Sequence, residues 1–98
     1  MAEQMIELTN ENYKQEVVEY TGKVVVDCWA NWCGKCKMIK PKFEELSKTR
    51  TDYKFCTLDV DKCQQLAADL NILNLPTFII IDSGNEVSRG GFDVLEEL

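Results

Sequence analysis

The sequence contains no histidine and only two prolines among its 98 residues. Lack of imidazole narrows any metal reading, because zinc and iron–sulfur sites draw four ligands from histidine, cysteine and carboxylate side chains. No apolar run approaches the roughly 18 residues that suggest a membrane span, so a soluble chain with no membrane partner is expected. Basic residues are in the minority: 11 Lys and Arg stand against 17 Asp and Glu, a formal net charge of −6. Affinity for phosphate backbones comes from clustered cations, so a nucleic-acid partner is set aside and the acidic excess is read as solubility. There is no internal repeat, low-complexity tract or Pro/Gly-rich linker, and residues 1–98 are read as a single domain. The N-terminal stretch MAEQMIELTN carries acids in place of the basic patch and apolar stretch of a secretory signal, and a cytoplasmic location is expected.

What the chain does have is 45% hydrophobic and 29% charged residues, a globular composition with one core. At this length folding buries about 60–65% of the surface exposed by the unfolded chain. Met5 to Leu8 reads as a short strand. Thr9 or Asn10 offers a side-chain oxygen to cap a helix running to about Tyr20, with Gly22 as its stop. Lys23 to Ala30, centred on VVVDCW, is a β-branched and apolar run suited to a strand buried on both faces, with Asp27 the exception. From Gly34 to about Thr49 the pattern turns helical, Ile39, Phe43 and Leu46 recurring on one face, and Pro41 should kink that helix without ending it. Tyr53 to Val60 reads as another buried strand and Lys62 to Leu70 as a helix. Thr77 to Ile81, the turn residues 82–85 and Glu86 to Arg89 make an antiparallel hairpin, and a last short helix begins after Gly91. The order implies an α/β fold: a central mixed β-sheet flanked by helices on both faces.

Five cysteines, at positions 28, 33, 36, 56 and 63, form an odd count with irregular spacing. That argues against a stapled secreted framework and for a reducing compartment with one special pair. The pair is in NWCGKCK. Three readings compete. A metal site wants a second Cys-x-x-Cys or histidines, and there are none. Two inert core cysteines have no need of a flanking Trp, a glycine and a strand-to-helix transition. Redox exchange uses all of these: Cys33 falls where unpaired N–H groups and the positive end of the helix macrodipole meet its sulfur, favouring the thiolate. Cys36 lies one turn along the same helical face, within reach of a disulfide ring.

The run VDCWANWCGKCKMIKP, followed by LPTF at 75–78 and by Gly90-Gly91, resembles the thioredoxin family over nearly the whole chain. The resemblance implies a thioredoxin fold and reduction of protein disulfides, neither of which follows from composition. It makes Cys33 the attacking nucleophile, Cys36 the resolving thiol and Asp27 a general acid/base. No cofactor is expected beyond the Cys33–Cys36 disulfide. It puts Pro76 in the cis form beside the cysteines, so that the backbone of Leu75 and Thr77 could pair with an extended substrate. Trp32, Gly34, Leu75 and Gly91 would form the apolar rim on which targets dock, with Trp29 packing in the core. The implied partners are a thioredoxin reductase and disulfide-containing target proteins, met by a monomer. A disulfide oxidase or isomerase of the same fold, and a redox-inactive binding module, are the alternatives.

Departures from the family pattern carry information too. Lys35 stands where the family usually has proline, adding charge that favours the thiolate and relaxing the helix start, so a more oxidising potential is expected. Gly34, Lys35 and Pro76 together are the expected redox-tuning positions. Many bacterial members place a lysine on the third strand beside the buried acid, and Thr57 occupies that place here. Cys28 and Cys56, in strands, should behave as small buried hydrophobes. Cys63, near a helix start, is expected to be exposed and open to oxidation.

Overall fold

The computed structural model describes residues 5–98. Five strands, β1 (Met5–Glu7), β2 (Lys23–Trp29), β3 (Tyr53–Asp59), β4 (Thr77–Asp82) and β5 (Asn85–Gly90), form one sheet in the order β1-β3-β2-β4-β5. β3 runs parallel to β1 and to β2, whereas β2–β4 and β4–β5 are antiparallel. The sheet is therefore mixed, as expected. The continuous apolar run of β2 is explained by its place: a neighbour on each side, and six successive residues from Val24 to Cys28 and Ala30 fully buried apart from half-buried Trp29.

Because strand side chains alternate, β2 sends Val24, Val26 and Cys28 to one face, with Leu8, Val17, Cys56, Leu58, Cys63, Ile79 and Ile81. It sends Val25 to the other, with Phe43, Phe55, Phe78, Ile80, Val94 and Leu95. Helix α1 (Gly34–Thr49) covers this second face through Phe43, whose ring meets Phe55 at 5.1 Å and Phe78 at 5.8 Å between centroids. Helix α3 (Phe92–Leu95) adds Val94 and Leu95. The first face is covered by α2 (Gln64–Asp69), through Leu66, and by Tyr13 and Val17. No helix among the described residues is long and apolar enough to cross a membrane.

The helix expected up to Tyr20 is a correction. Turns lead into a five-residue π-helix, Lys14–Val18. Its cap is where the sequence put it: Thr9 N–H donates to Asn12 Oδ1 at 2.7 Å, and Asn12 N–H donates to Thr9 Oγ1 at 3.0 Å, a reciprocal capping box. What shortens the helix is its environment. Val17 is its one fully buried residue, and the Glu16 carbonyl accepts a hydrogen bond from Lys54 Nζ of β3 at 2.8 Å. The other elements lie within two residues of their expected ends. Helix α1 continues through Pro41, which leaves the Lys37 carbonyl without its helical donor. The β4–β5 hairpin closes on Ser83 and Gly84, both at positive φ (50° and 87°), as a two-residue turn of this hand requires. A Cβ on Gly84 would come within 2.7 Å of the Val18 carbonyl oxygen, so glycine is needed there for space as well as conformation.

Candidate active site

Parallel β2 and β3 end at the same edge of the sheet at which antiparallel β4 begins and β5 ends: Trp29 lies opposite Asp59, Cys28 opposite Thr77, and Phe78 opposite Gly90. Four segments from distant parts of the chain therefore meet at one edge, the loop to Cys33, the turn after Asp59, the stretch before Thr77 and Gly91. Cys33 is the N-cap of α1 and its Sγ accepts the Cys36 backbone N–H at 3.2 Å. That bond satisfies one of the orphan donors of the helix start and favours a negatively charged sulfur. Cys33 and Cys36 are joined in a disulfide, their Cα atoms 5.3 Å apart, within the usual range. Cys33 is the more exposed of the two, at 7% against 3%, in the direction expected of a nucleophile.

Asp27 belongs to the α1 face of β2 by the alternation above. It is 5% exposed, and its Oδ1 has no hydrogen-bond partner. Burial pushes its carboxyl up to about 7, against the opposing pull of the Lys40 ammonium. An open cleft of about 430 Å³ is lined by Asp27, Cys36, Lys37, Lys40, Phe43 and Thr57, among others. The resolving sulfur and the buried acid thus share one water-accessible space. Thr57 is the direct neighbour of Asp27 across the β2–β3 ladder, so the strand position that could have held a cation is neutral. Lys40, one turn beyond Cys36 on α1, supplies the charge instead.

A family model described as Thioredoxin matches residues 4–93. The chain belongs to the thioredoxin family. It is 36% identical to a thioredoxin of Mycoplasmoides gallisepticum over 96% of this chain and 95% of that protein. It is 45% identical to a thioredoxin of Ovis aries over 76% of this chain and 73% of that one. A bifunctional thioredoxin reductase/thioredoxin of Mycobacterium leprae is 36% identical over 86% of this chain, which corresponds to 19% of the longer protein. With the paired cysteines in place, the chain is an enzyme of thioredoxin-type thiol–disulfide exchange, a protein-disulfide reductase.

The remaining sequence-derived positions gather at this thioredoxin edge. The Leu75–Pro76 bond is cis, as the resemblance implies, and Leu75 packs against the cluster of Ala30, Cys33 and Cys36. Thr77 narrows the expectation of an exposed backbone. It is buried in the ladder opposite Cys28, and its hydroxyl donates to the Asn74 carbonyl. Among the described residues, Leu75 N–H and C=O take no hydrogen bond, and they are the free groups on this segment. Trp32 is 69% exposed. Gly34 is exposed, and a Cβ there would meet nothing within 4 Å. Gly91 is half-buried ahead of α3 and Lys35 is exposed in the first turn of α1. Trp29 packs against the cysteine cluster, as expected of a core residue.

Sequence reasoning missed two contributors. Asp61 Oδ2 accepts the Trp32 indole N–H at 3.1 Å, and buried Asp59 holds that turn by accepting the Asp61 and Lys62 N–H groups through Oδ1, at 2.9 and 3.3 Å. The DVDK spacing of this turn was a usable signal, since an aspartate readily accepts from N–H groups two and three residues on. Lys40 was signalled by its i,i+4 relation to Cys36. Cys63 is a correction: it is buried at 4% exposure, and its thiol donates to the Leu8 carbonyl at 3.6 Å. Its place at a helix start suggested exposure, but α2 packs onto the sheet and carries it inward. Burial raises the Cys63 thiol, and it pushes Cys28 and Cys56 up to about 12, so all three are poor nucleophiles.

Proposed function

We propose that the protein reduces disulfides in target proteins through Cys33 and is returned to its dithiol form by a thioredoxin reductase. The observation that carries this reading is the cap at the head of α1, where the Cys36 N–H points at Cys33 Sγ. In the reduced protein that bond and the helix dipole hold the Cys33 thiolate. The thiolate attacks one sulfur of the target disulfide; a Cys33–target S–S bond forms, the target's own S–S bond breaks, and the released thiolate takes up a proton. Cys36 then loses its proton to the Asp27 carboxylate across the shared cleft and attacks Cys33 Sγ. The Cys33–Cys36 bond forms, the mixed disulfide breaks, and the second target thiolate is released and protonated. Two electrons have passed to the target.

An acid near 7 in that cleft suits the second step, since at neutral pH it can both accept and give up a proton. Reversal needs two electrons from outside. The M. leprae relative, whose name joins a reductase to a thioredoxin, supports a reductase as donor. Three unpaired buried cysteines fit a reducing, cytoplasmic setting, in which the protein acts as a monomer. The test is insulin reduction driven by dithiothreitol, with the parent, Cys33→Ser and Cys36→Ser compared. The Cys33→Ser variant should lose essentially all activity, and Cys36→Ser should trap a covalent complex with the target. A Cys33→Ser variant working at the parent rate would overturn the assignment.

A further inference from the structure

Three large apolar side chains stand in solvent at the edge of the sheet that carries the dithiol: Trp32 at 69% exposure, Leu73 at 85% and Phe92 at 42%. Trp32 directly precedes Cys33. Leu73 is two residues from Leu75, which packs against Cys33 and Cys36, and two residues of chain reach no further than about 7 Å. Phe92 is two residues past Gly90, which lies opposite Phe78 in the β4–β5 ladder, itself two residues from Pro76. Neither Leu73 nor Phe92 serves the core: Ile72, Leu75, Val94 and Leu95 make the inward contacts of these segments. Scattered exposed apolar residues are ordinary, but these two border a reactive sulfur and an unpaired backbone at Leu75.

We propose that Leu73 and Phe92 are specificity-determining residues of the exchange reaction, selecting oxidised protein segments whose reactive cysteine is flanked by large aliphatic or aromatic side chains. This rests on the reading that Cys33 attacks protein disulfides. A segment presenting its cysteine to Cys33 and pairing with the free Leu75 groups extends as a strand. Its residues next to the cysteine then lie about 3.3–7 Å along the chain from the sulfur, the reach of Leu73 and Phe92. Lys35, Asp61 and Asp93 put both signs of charge around the same rim, so apolar contact is left to discriminate.

The test uses the reduced full chain and two peptides of equal length and charge, each with one internal disulfide, flanked by Leu and Phe in one and by Ser and Asn in the other. The readout is the ratio of the two kcat/KM values, in which any change in sulfur reactivity or in the fraction folded cancels. The parent should prefer the apolar peptide about tenfold, the scale of one or two methylene groups leaving water. Leu73→Ser with Phe92→Ser should bring the ratio close to one. Val87→Ser removes an equally exposed apolar residue of β5, 61% exposed and three residues from Gly90, and should keep the parent ratio. A parent that does not discriminate, or a double variant that keeps the preference, overturns the proposal while exchange with free cystine leaves the Cys33 reading standing. A reduced parent that exchanges with neither peptide nor cystine overturns both.

Discussion

At the scale of the residue, Asp27 is the group whose state decides most. Its carboxyl stands at about 7 in the fold, against 3.8 for an ordinary aspartate. Between those values the unfolded chain gives up the proton first. The native state therefore loses stability as pH rises from about 4 to about 7, and the loss is complete above that range. Asp27→Asn removes the penalty. It should gain on the order of 4 kcal/mol near pH 8 and little near pH 4, by denaturant unfolding at the two values; equal gains at both would refute the cause. The same variant should slow exchange near neutral pH. Lys40→Ala removes the one cation pulling this carboxyl down, so the Asp27 midpoint in the pH–rate profile should move upward, and an unmoved midpoint would sink the pairing. The acid was legible because a charge inside VVVDCW has nowhere to go but the interior. Lys40 was not, because its nearness to Asp27 exists only once α1 has packed on the sheet.

At the scale of the element, α1 joins chemistry to core. Its first turn presents the disulfide and its third seats Phe43 between Phe55 and Phe78. Both were readable, the first from the strand-to-helix transition at Cys33 and the second from the spacing of Ile39, Phe43 and Leu46. The segment before β2 was less readable, because a capping box announces a helix but does not measure it; the length was set by Lys54, 38 residues on in sequence from Glu16. Lys35 belongs to this scale as well. It is the second residue of α1, where the backbone N–H has no helical partner and proline is tolerated. Lys35→Pro should stiffen the helix start, withdraw a positive charge and lower the potential by about 30 mV or more, a tenfold change in the exchange equilibrium. Equilibration against a glutathione series measures it, and an unchanged potential would show the lysine to be a bystander.

At the scale of the whole molecule, the mixed topology assembles the site. One antiparallel reversal, at β4, brings Pro76 beside the end of β2, and a second, at β5, brings Gly91 to the same edge. The alternation of strands and helices signalled an α/β sheet. The order of its strands came only with the family resemblance, since a 98-residue pattern of this kind fits more than one winding. Cys63 shows the same boundary from the other side: a helix start was legible, and the face that the helix would cover was not. The two faces of the sheet also sort the five sulfurs into separate populations. Two sit at the rim and three lie under β2, β3 and α2 with thiols raised by burial. Alkylation of the reduced native protein, read by mass, should add two adducts, and after denaturation five. The chain carries its own gauge of integrity: any third adduct under native conditions marks a breach of the interior, with no label or reporter attached.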